Sequence, residues 1–299
     1  MTSRERLLAA LRGELPDRVP VCCSELQAYN PYSWENQEPS FAPLMAFIKQ
    51  HCDAVLTLGC PWYSLGEGQV EQTTWEEGDW HHARLVYHSP LGDLTQQQLW
   101  KPSQKTIWTT EHMLKTPDDI AKYLALDFHL NEPDLSVHLA LREALGEAGL
   151  LMLGLPDPVC LAAEAFDMCD FLQFYLTDQA EVLRLMDALG ERVLEQVKLV
   201  CKAGRAALGE AWSEVLLGIY GPEYVTPPYM APAHFSRLVT RYIKALGEVI
   251  HASGAMLRVH SHGKVAQVLD DLVQTGMDAL DPIEPPPDGD IELATVKRL

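Results

Sequence analysis

The sequence predicts an α/β fold in which parallel strands alternate with helices around a barrel. From about Gly149 onward, short apolar segments alternate with longer helical segments, which is the pattern of strand–helix crossovers. Together with two earlier apolar segments, the predicted strands of the alternating set lie near residues 19–23, 54–59, 150–155, 215–220, 255–261 and 278–282. Eight such units would close a (β/α)8 barrel of the TIM-barrel type.

The C-terminus bears on whether that barrel closes. The last residues, DIELATVKRL, have the composition of a helix start and follow the sixth predicted strand. An open parallel barrel would expose strand edges, which proteins normally cover. We therefore expect residues 1–299 to form a single barrel domain that lacks its C-terminal units.

The N-terminal elements are predicted in the order helix, strand, helix, strand. A helix runs from Ser3, a suitable N-cap residue, to about Leu11. RVPVCC then predicts a short buried strand. A second helix around residues 41–51 leads into AVLTLG, which predicts the second strand.

Residues 68–100 show a different pattern. β-prone and polar residues alternate there, and Gly/Asp turns separate them, so we expect an antiparallel β-hairpin insertion with one solvated face. His81, His82 and His88 lie within it and are expected to be solvated. The following segment, TPDDIAKYLAL, predicts a helix capped by Thr116.

The second half of the chain repeats strand and helix. Helical segments are predicted at about 161–208, with a break near Thr177–Asp178, and at 234–253 and 264–275. The strands between them end in polar loops, with the sequences GLLMLGLPDP, VLLGIYGPEY, AMLRVHSHG and MDALDPIEPPP.

Charge and composition exclude several classes of function. The net charge is −19, from 23 basic and 42 acidic residues, which argues against binding nucleic acid through phosphates. No apolar run approaches the roughly 20 residues of a membrane helix, and the N-terminus is not a secretory signal. The seven cysteines contain no C-x-x-C pair, so a reducing cytoplasm is expected.

The motif HSH carries the first candidate site. Residues two apart in a strand share a face, so His260 and His262 can point to one ligand. They lie at the end of a predicted strand, and Asp281 and Glu284 lie at the end of the next one. Parallel barrels have their active sites at this edge, which is formed by the carboxyl ends of the strands. Two imidazoles and a carboxylate are suitable ligands for Zn²⁺, so His260, His262 and Glu284 are predicted metal ligands. The alternative is a hydrogen-bonded strand end or a surface pair.

Further candidates lie at other predicted strand ends. Glu223 and Tyr224 can bind substrate or transfer a proton, as can Asp281, although Glu223 and Tyr224 also suit a helix-entry loop. Asp157, after the third strand, is a weaker candidate of the same kind. Trp62 and Tyr63 can form the floor of a pocket or pack at its rim. Arg258 can pair with a carboxylate inside the barrel or bind an anionic substrate.

Three segments resemble a known family. RERLLAALRGELPDRVPV resembles the opening of the uroporphyrinogen decarboxylase superfamily. GPEYVTPPYMAPAHFSRLVTRYIKALGEVIHASGAMLRVHSHGKV and GMDALDPIEPPPDGDI resemble its methyltransferase branch, which includes corrinoid-dependent methyltransferases and O-demethylase components. The resemblance is densest over residues 215–295. It implies a (β/α)8 barrel with the active site at the carboxyl ends of the strands.

The resemblance also implies a metal and a partner protein. The branch carries a His-x-Cys zinc motif, a second cysteine downstream and an acidic residue nearby. Here His260 matches the histidine, His262 stands in place of the cysteine, and Glu284 matches the acidic position. The implied reaction moves a methyl group between a small methyl ether or thiol and a corrinoid protein, with zinc as Lewis acid. Histidine in place of a thiolate leaves zinc more positive, which favours the ether.

Two other functions remain open from the sequence. A decarboxylase of the same superfamily would need arginines after the first strand to hold substrate carboxylates. The corresponding segment here, CCSELQAYNPYSW, contains none. The other alternative is a module that binds a tetrapyrrole or a corrinoid protein without catalysis.

Overall fold

A computed structural model of the chain describes residues 1–23, 26–60, 63–104 and 106–298. Trp62, a predicted pocket residue, lies outside the described residues. The α-helices are α1 (Ser3–Leu11), α2 (Trp34–Gln37), α3 (Ala42–His51), α4 (Asp119–Leu124), α5 (Ser136–Leu145), α6 (Pro158–Ala165), α7 (Met168–Thr177), α8 (Gln179–Leu208), α9 (Arg241–Ser253), α10 (Leu269–Val273) and α11 (Leu293–Val296).

The strands are β1 (Ala54–Gly59), β2 (Tyr63–Leu65), β3 (Val70–Glu77), β4 (Trp80–Ser89), β5 (Gly92–Trp100), β6 (Ile107–Glu111), β7 (Phe128–Leu130), β8 (Gly149–Pro156), β9 (Leu216–Tyr220), β10 (Met256–His260) and β11 (Ala279–Asp281). Short 3₁₀ turns link several of them, and a π-helical turn, Ser236–Thr240, precedes α9.

The central sheet confirms the predicted alternation of parallel strands and helices. Its strands follow the order β1-β8-β9-β10-β11, so each neighbour in the sheet is the next strand of the series along the chain. All four pairings are parallel. This sequential order is consistent with a TIM-barrel-like fold, although the sheet does not close into a barrel within the described residues. Within the described residues, no further strand pairs with the outer edge of β11.

The first predicted strand, residues 19–23, is wrong. The structure has only an isolated parallel bridge between Cys22 and Asp53 there. Val19 and Val21 are exposed, so the apolar pattern does not report burial. The buried Asp53 carboxylate instead accepts hydrogen bonds from Arg6, Arg18 and the backbone N–H of Val21. These side-chain bonds hold the segment in place of a strand ladder.

Helix boundaries differ from prediction at the caps. The first helix begins at Ser3, but its cap is Thr2, which forms a capping box with Glu5. Thr116 does not cap α4; its N–H, like that of Lys115, donates to the Asp119 carboxylate instead. The predicted break in the long helical segment is confirmed, because α7 ends at Thr177 and α8 begins at Gln179.

The predicted β-hairpin insertion is confirmed and is larger than expected. Strands β3 to β6 form a four-stranded antiparallel sheet. His81 and His82 are half-buried rather than solvated, because their rings stack on Trp100 and Trp75 at centroid distances of 5.6 Å and 5.0 Å. The aromatic partners belong to neighbouring strands, which a single-strand pattern does not reveal.

Different elements pack on the two faces of the central sheet. Helices α6 to α9 and the turns between them pack on one face, with large buried side chains that include Phe166, Tyr175 and Trp212. On the other face, Leu7 and Leu8 of α1 pack against Leu150, Met152 and Leu216. Polar side chains lie instead at the edge formed by the carboxyl ends of the strands. No helix in the described part of the chain has both the length and the apolar character to cross a membrane.

Candidate functional site

Strand register brings the HSH motif beside the next strand end. His260, the last residue of β10, is paired with Asp281 on one side and with Tyr220 of β9 on the other. Arg258 lies two residues earlier and shares the face of His260. The sequence prediction that the two strand ends meet is therefore correct.

Arg258 connects His260 to Asp281. Its side chain is buried, and its guanidinium donates to the Asp281 carboxylate. Its Nη2 atom lies 2.9 Å from His260 Nδ1, which is 3.5 Å from the Asp281 carboxylate. Burial acts to raise the pKa of Asp281, but hydrogen bonds with His260 and Arg258 outweigh it, so the pKa lies below its ordinary value. Asp281 is therefore an ionised anchor for Arg258.

His262 and Glu284 form a second pair. Nδ1 of His262 lies 3.0 Å from Glu284 Oε1, and the N–H of Gly263 donates to Glu284 Oε2 at 3.3 Å. The His260 and His262 rings meet edge to face with centroids 4.7 Å apart. The structure thus places His262 next to both His260 and Glu284.

These residues suit zinc by donor type but not by arrangement. The Nδ1 atoms of His260 and His262 contact protein groups, which leaves each Nε2 as the nitrogen able to face a ligand. A carboxylate on the Nδ1 side usually orients a metal-bound histidine, which is the position of Glu284. Among the described residues, however, no three His, Cys, Asp or Glu side chains converge closely enough to hold a metal ion. The arrangement of the described residues therefore does not fit a three-ligand metal site.

Tyr220 lies at the centre of the site and was missed by the sequence analysis. Its ring contacts His260 at 5.3 Å between centroids, and the Arg258 guanidinium lies 4.7 Å from the ring centroid. A Cβ atom at Gly154 or Gly218 would lie 3.4 Å from the Tyr220 ring, which is ordinary van der Waals contact. No local sequence pattern identified Tyr220, because its contacts with His260 and Arg258 cross from one strand to the next.

A cavity of about 560 Å³ lies between α1 and the central sheet. Its wall includes the apolar residues Leu7, Val55 and Met152, and its charged lining residues are Arg258, Asp278 and Asp281. Ligand pockets for small molecules commonly have volumes of about 300–1,000 Å³. The cavity is therefore large enough for a small substrate that reaches the Arg258–Asp281 pair.

Glu223 and Tyr224 belong to a separate group at the ends of β8 and β9. Glu223 Oε2 accepts from the N–H of Gly221 at 3.1 Å. The Tyr224 hydroxyl donates to Glu164 of α6 at 3.2 Å, and Cys160 donates to the same oxygen at 3.4 Å. Burial and the nearby Glu164 carboxylate raise the pKa of Tyr224. The Tyr224 hydroxyl therefore contacts α6.

Asp157 is the most buried acid of this group. Its carboxyl group has no exposure, and Oδ1 accepts from the N–H of Cys160 at 2.7 Å as the N-cap of α6. Within the described residues, Oδ2 has no hydrogen-bond partner. Burial raises the pKa of Asp157 well above its ordinary value, and the nearby Glu223 and Glu164 carboxylates add to the rise.

Loops after β9 and β10 are tied together beside both groups. Thr226 and Ser261 are fully buried, and their hydroxyl oxygens lie 2.8 Å apart. The N–H of Lys264 donates to the carbonyl of Pro227 at 2.7 Å. A Cβ atom at Gly263 would lie 2.8 Å from that carbonyl, so the close approach requires glycine. These contacts hold the acidic group and the histidine group at one edge of the sheet.

Comparisons with known proteins give one structural likeness. No protein-family model matches the chain, and no curated protein does. Among solved structures, a methyltransferase from Methanosarcina mazei is similar, with a TM-score of 0.51 and 17% sequence identity. The match covers 94% of this chain and 75% of that one. At this identity the likeness shows the fold alone.

Proposed function

We propose that the protein is a methyltransferase that moves a methyl group between a small substrate and the corrinoid of a partner protein. The observation that carries the proposal is the meeting of the Arg258–His260–Asp281 network, the His262–Glu284 pair and the acids beside Gly221 at one sheet edge. The sequence resemblance and the structural likeness to a methyltransferase support it.

The site residues have separate roles in this proposal. His260 and His262 present Nε2 atoms that bind the substrate oxygen or sulfur. Asp281, predicted as a catalytic residue, holds Arg258 and His260 in place. Glu223 exchanges a proton with the substrate. The corrinoid supplies or accepts the methyl group.

Tyr224 has an indirect role in the proposal. Its hydroxyl is bound to Glu164, so the side chain fixes the wall formed by α6. This role differs from the proton transfer that the sequence suggested. We expect Tyr224→Phe to affect substrate binding more than the rate of the chemical step.

The carboxylate-binding alternative has less support from the site. A decarboxylase of this superfamily needs cations that are free to bind substrate carboxylates. Arg258, the arginine closest to the HSH motif in sequence, is already paired with Asp281. A methyl-transfer assay distinguishes a non-catalytic binding module from an enzyme.

The assay uses cobalamin in place of the partner's corrinoid. Reduced cobalamin is mixed with the protein and either an aryl methyl ether or a methyl thioether, and formation of methylcobalamin is followed by its absorbance. The reverse reaction uses methylcobalamin and a thiol. Turnover with a methyl ether or thiol supports the proposal. Binding of cobalamin without methyl transfer in either direction favours the non-catalytic module.

Zinc is a separate proposal that depends on rearrangement of the site. As the alternative to direct contact with the substrate, we propose that the Nε2 atoms of His260 and His262 bind the metal, with Glu284 as third ligand or as the group orienting His262. The test is the metal content, by mass spectrometry, of wild-type protein and of His260→Ala after incubation with zinc and desalting. Near-stoichiometric zinc that is lost in the variant supports the site. Equal zinc content in the two proteins contradicts it.

A further inference from the structure

The hydrogen-bond partners of His260 and His262 determine which ring nitrogen of each carries the hydrogen. Arg258 Nη2 lies 2.9 Å from Nδ1 of His260. An arginine guanidinium has donors only, so Nδ1 of His260 is the acceptor in this contact. A neutral imidazole has one N–H, and His260 therefore carries it on Nε2.

Asp281 is the competing partner of His260. Its carboxylate would favour a hydrogen on Nδ1, but it lies 3.5 Å from that atom, beyond the usual range of a hydrogen bond. A hydrogen on Nδ1 would also meet the N–H of Arg258, whose guanidinium already binds the Asp281 carboxylate. The shorter contact decides, so Arg258 sets the tautomer of His260.

His262 has the opposite arrangement. Its Nδ1 lies 3.0 Å from Glu284 Oε1, and a carboxylate has acceptors only. Nδ1 of His262 therefore carries the hydrogen, and Nε2 presents a lone pair. The N–H of Gly263 donates to the other oxygen of Glu284 at 3.3 Å, which holds the carboxylate in this position.

Both rings are accessible at the carboxyl edge of the sheet. The side chains of His260 and His262 are 18% and 53% exposed, and within the described part of the chain their polar contacts are made through Nδ1. The two rings meet edge to face with centroids 4.7 Å apart. His260 follows Arg258, a wall residue of the cavity, on the same face of β10. A small ligand at this edge can therefore reach both rings.

We propose that His260 and His262 form a donor–acceptor pair that binds one hydroxyl or thiol group of a small substrate. Nε2–H of His260 donates to the oxygen or sulfur, and the O–H or S–H donates to Nε2 of His262. Arg258 and Glu284 are positioning residues, because each one sets the tautomer of its histidine.

The assignment of this group to the methyl-transfer substrate rests on the proposed function. A methyl ether or thioether has no hydrogen to donate at its oxygen or sulfur, so it uses His260 alone. The demethylated product, or a thiol that accepts a methyl group, uses both histidines. The pair therefore binds the demethylated form more tightly than the methylated form. Zinc binding through both Nε2 atoms would first require Arg258 to leave Nδ1 of His260.

The first test determines the tautomers and is independent of methyl transfer. The 11 histidines are labelled with ¹⁵N, and nitrogen chemical shifts at about pH 9, where histidine is neutral, distinguish the N–H nitrogen from the bare one. Signals are assigned by their loss in His260→Ala and in His262→Ala. We expect the hydrogen on Nε2 of His260 and on Nδ1 of His262. The same tautomer in both histidines would overturn the proposal.

Arg258→Met tests the positioning role of Arg258. Without the guanidinium, Nδ1 of His260 can donate to Asp281, so we expect the hydrogen to move from Nε2 to Nδ1. The control is Arg241→Met, which removes an exposed arginine paired with Asp187 and should leave the His260 tautomer unchanged. An unchanged His260 tautomer in folded Arg258→Met would overturn this role.

Glu284→Leu tests the other half of the pair and also serves if Arg258→Met does not fold. The variant removes the acceptor of His262 Nδ1, so we expect both tautomers of His262 to be populated. A single Nδ1–H tautomer of His262 in Glu284→Leu would overturn the role of Glu284.

The second test compares phenol with anisole, its methyl ether, as ligands measured by calorimetry. We expect His262→Ala to weaken phenol binding about 10-fold and anisole binding hardly at all, because only phenol uses the acceptor. His260→Ala should weaken the binding of both ligands. Equal effects of His262→Ala on the two ligands, or no phenol binding by wild type, would overturn the donor–acceptor site. If both tests succeed and wild type transfers no methyl group, the proposed function fails and the binding site stands.

Discussion

At the scale of single residues, Arg258 determines what the HSH motif can do. Its guanidinium binds Asp281 and approaches His260 Nδ1, so a carboxylate and a ring nitrogen that look available in the sequence are already occupied. Spacing predicted that Arg258 and His260 share a face, because strand side chains alternate. It could not predict which of several nearby carboxylates Arg258 binds, because that choice depends on cross-strand distances.

Replacing Arg258 by methionine tests this network. The change removes charge-assisted hydrogen bonds that each contribute about 1.5–3 kcal/mol, so we expect the free energy of unfolding to fall by about 2 kcal/mol at neutral pH. Urea unfolding measures this free energy. The loss should shrink as pH falls through the lowered pKa of Asp281, because a depressed carboxyl pKa gives stability only while the group is ionised.

The matched control is Arg241→Met. Arg241 pairs with Asp187 at 2.7 Å, but both side chains are exposed, at 42% and 56%. Exposed pairs contribute about 0–1 kcal/mol. If the two methionine variants lose equal stability, Arg258 has no special part in the site.

At the scale of elements, five of the six strands predicted for the parallel series are present and the first is not. The alternation of apolar and helical segments correctly predicted β1, β8, β9, β10 and β11. It failed at residues 19–23, where Arg6 and Arg18 reach the Asp53 carboxylate and replace a strand ladder. Such contacts join residues 35 to 47 positions apart, so a local pattern does not contain them.

The pairing of β1 with β8 offers a direct test of the sheet. Gly149 is paired with Ala54, and a Cβ atom at Gly149 would lie 1.8 Å from the Ala54 carbonyl oxygen. We expect Gly149→Ala to lower the free energy of unfolding by about 2 kcal/mol, because the strands must move apart. Denaturant unfolding measures the change.

Gly59, at the other end of the same strand pair, is the control. Nothing lies within 4 Å of a Cβ atom built there. Gly59→Ala should therefore leave stability within about 0.5 kcal/mol of wild type. Similar losses for the two variants would contradict the described register.

At the scale of the whole molecule, the parallel order of the strands places the candidate site residues at one edge of the sheet. Each crossover returns the chain to the same end of the sheet, so the residues that follow β8, β9, β10 and β11 meet there. The sequence predicted this meeting. It did not predict the division into an acidic group around Gly221 and a histidine group around Arg258, because that division depends on which loops pack against α6 and which against each other.

The central claim is that methyl transfer occurs at the edge that holds His260. The most direct measurement is the initial rate of methylcobalamin formation from reduced cobalamin and an aryl methyl ether, for wild type, His260→Ala and His251→Ala. His251 lies at the end of α9 and pairs with Asp278, away from the strand ends that carry the site. We predict a loss of about 10²-fold or more in His260→Ala and a rate close to wild type in His251→Ala. A His260→Ala rate equal to wild type would contradict the account.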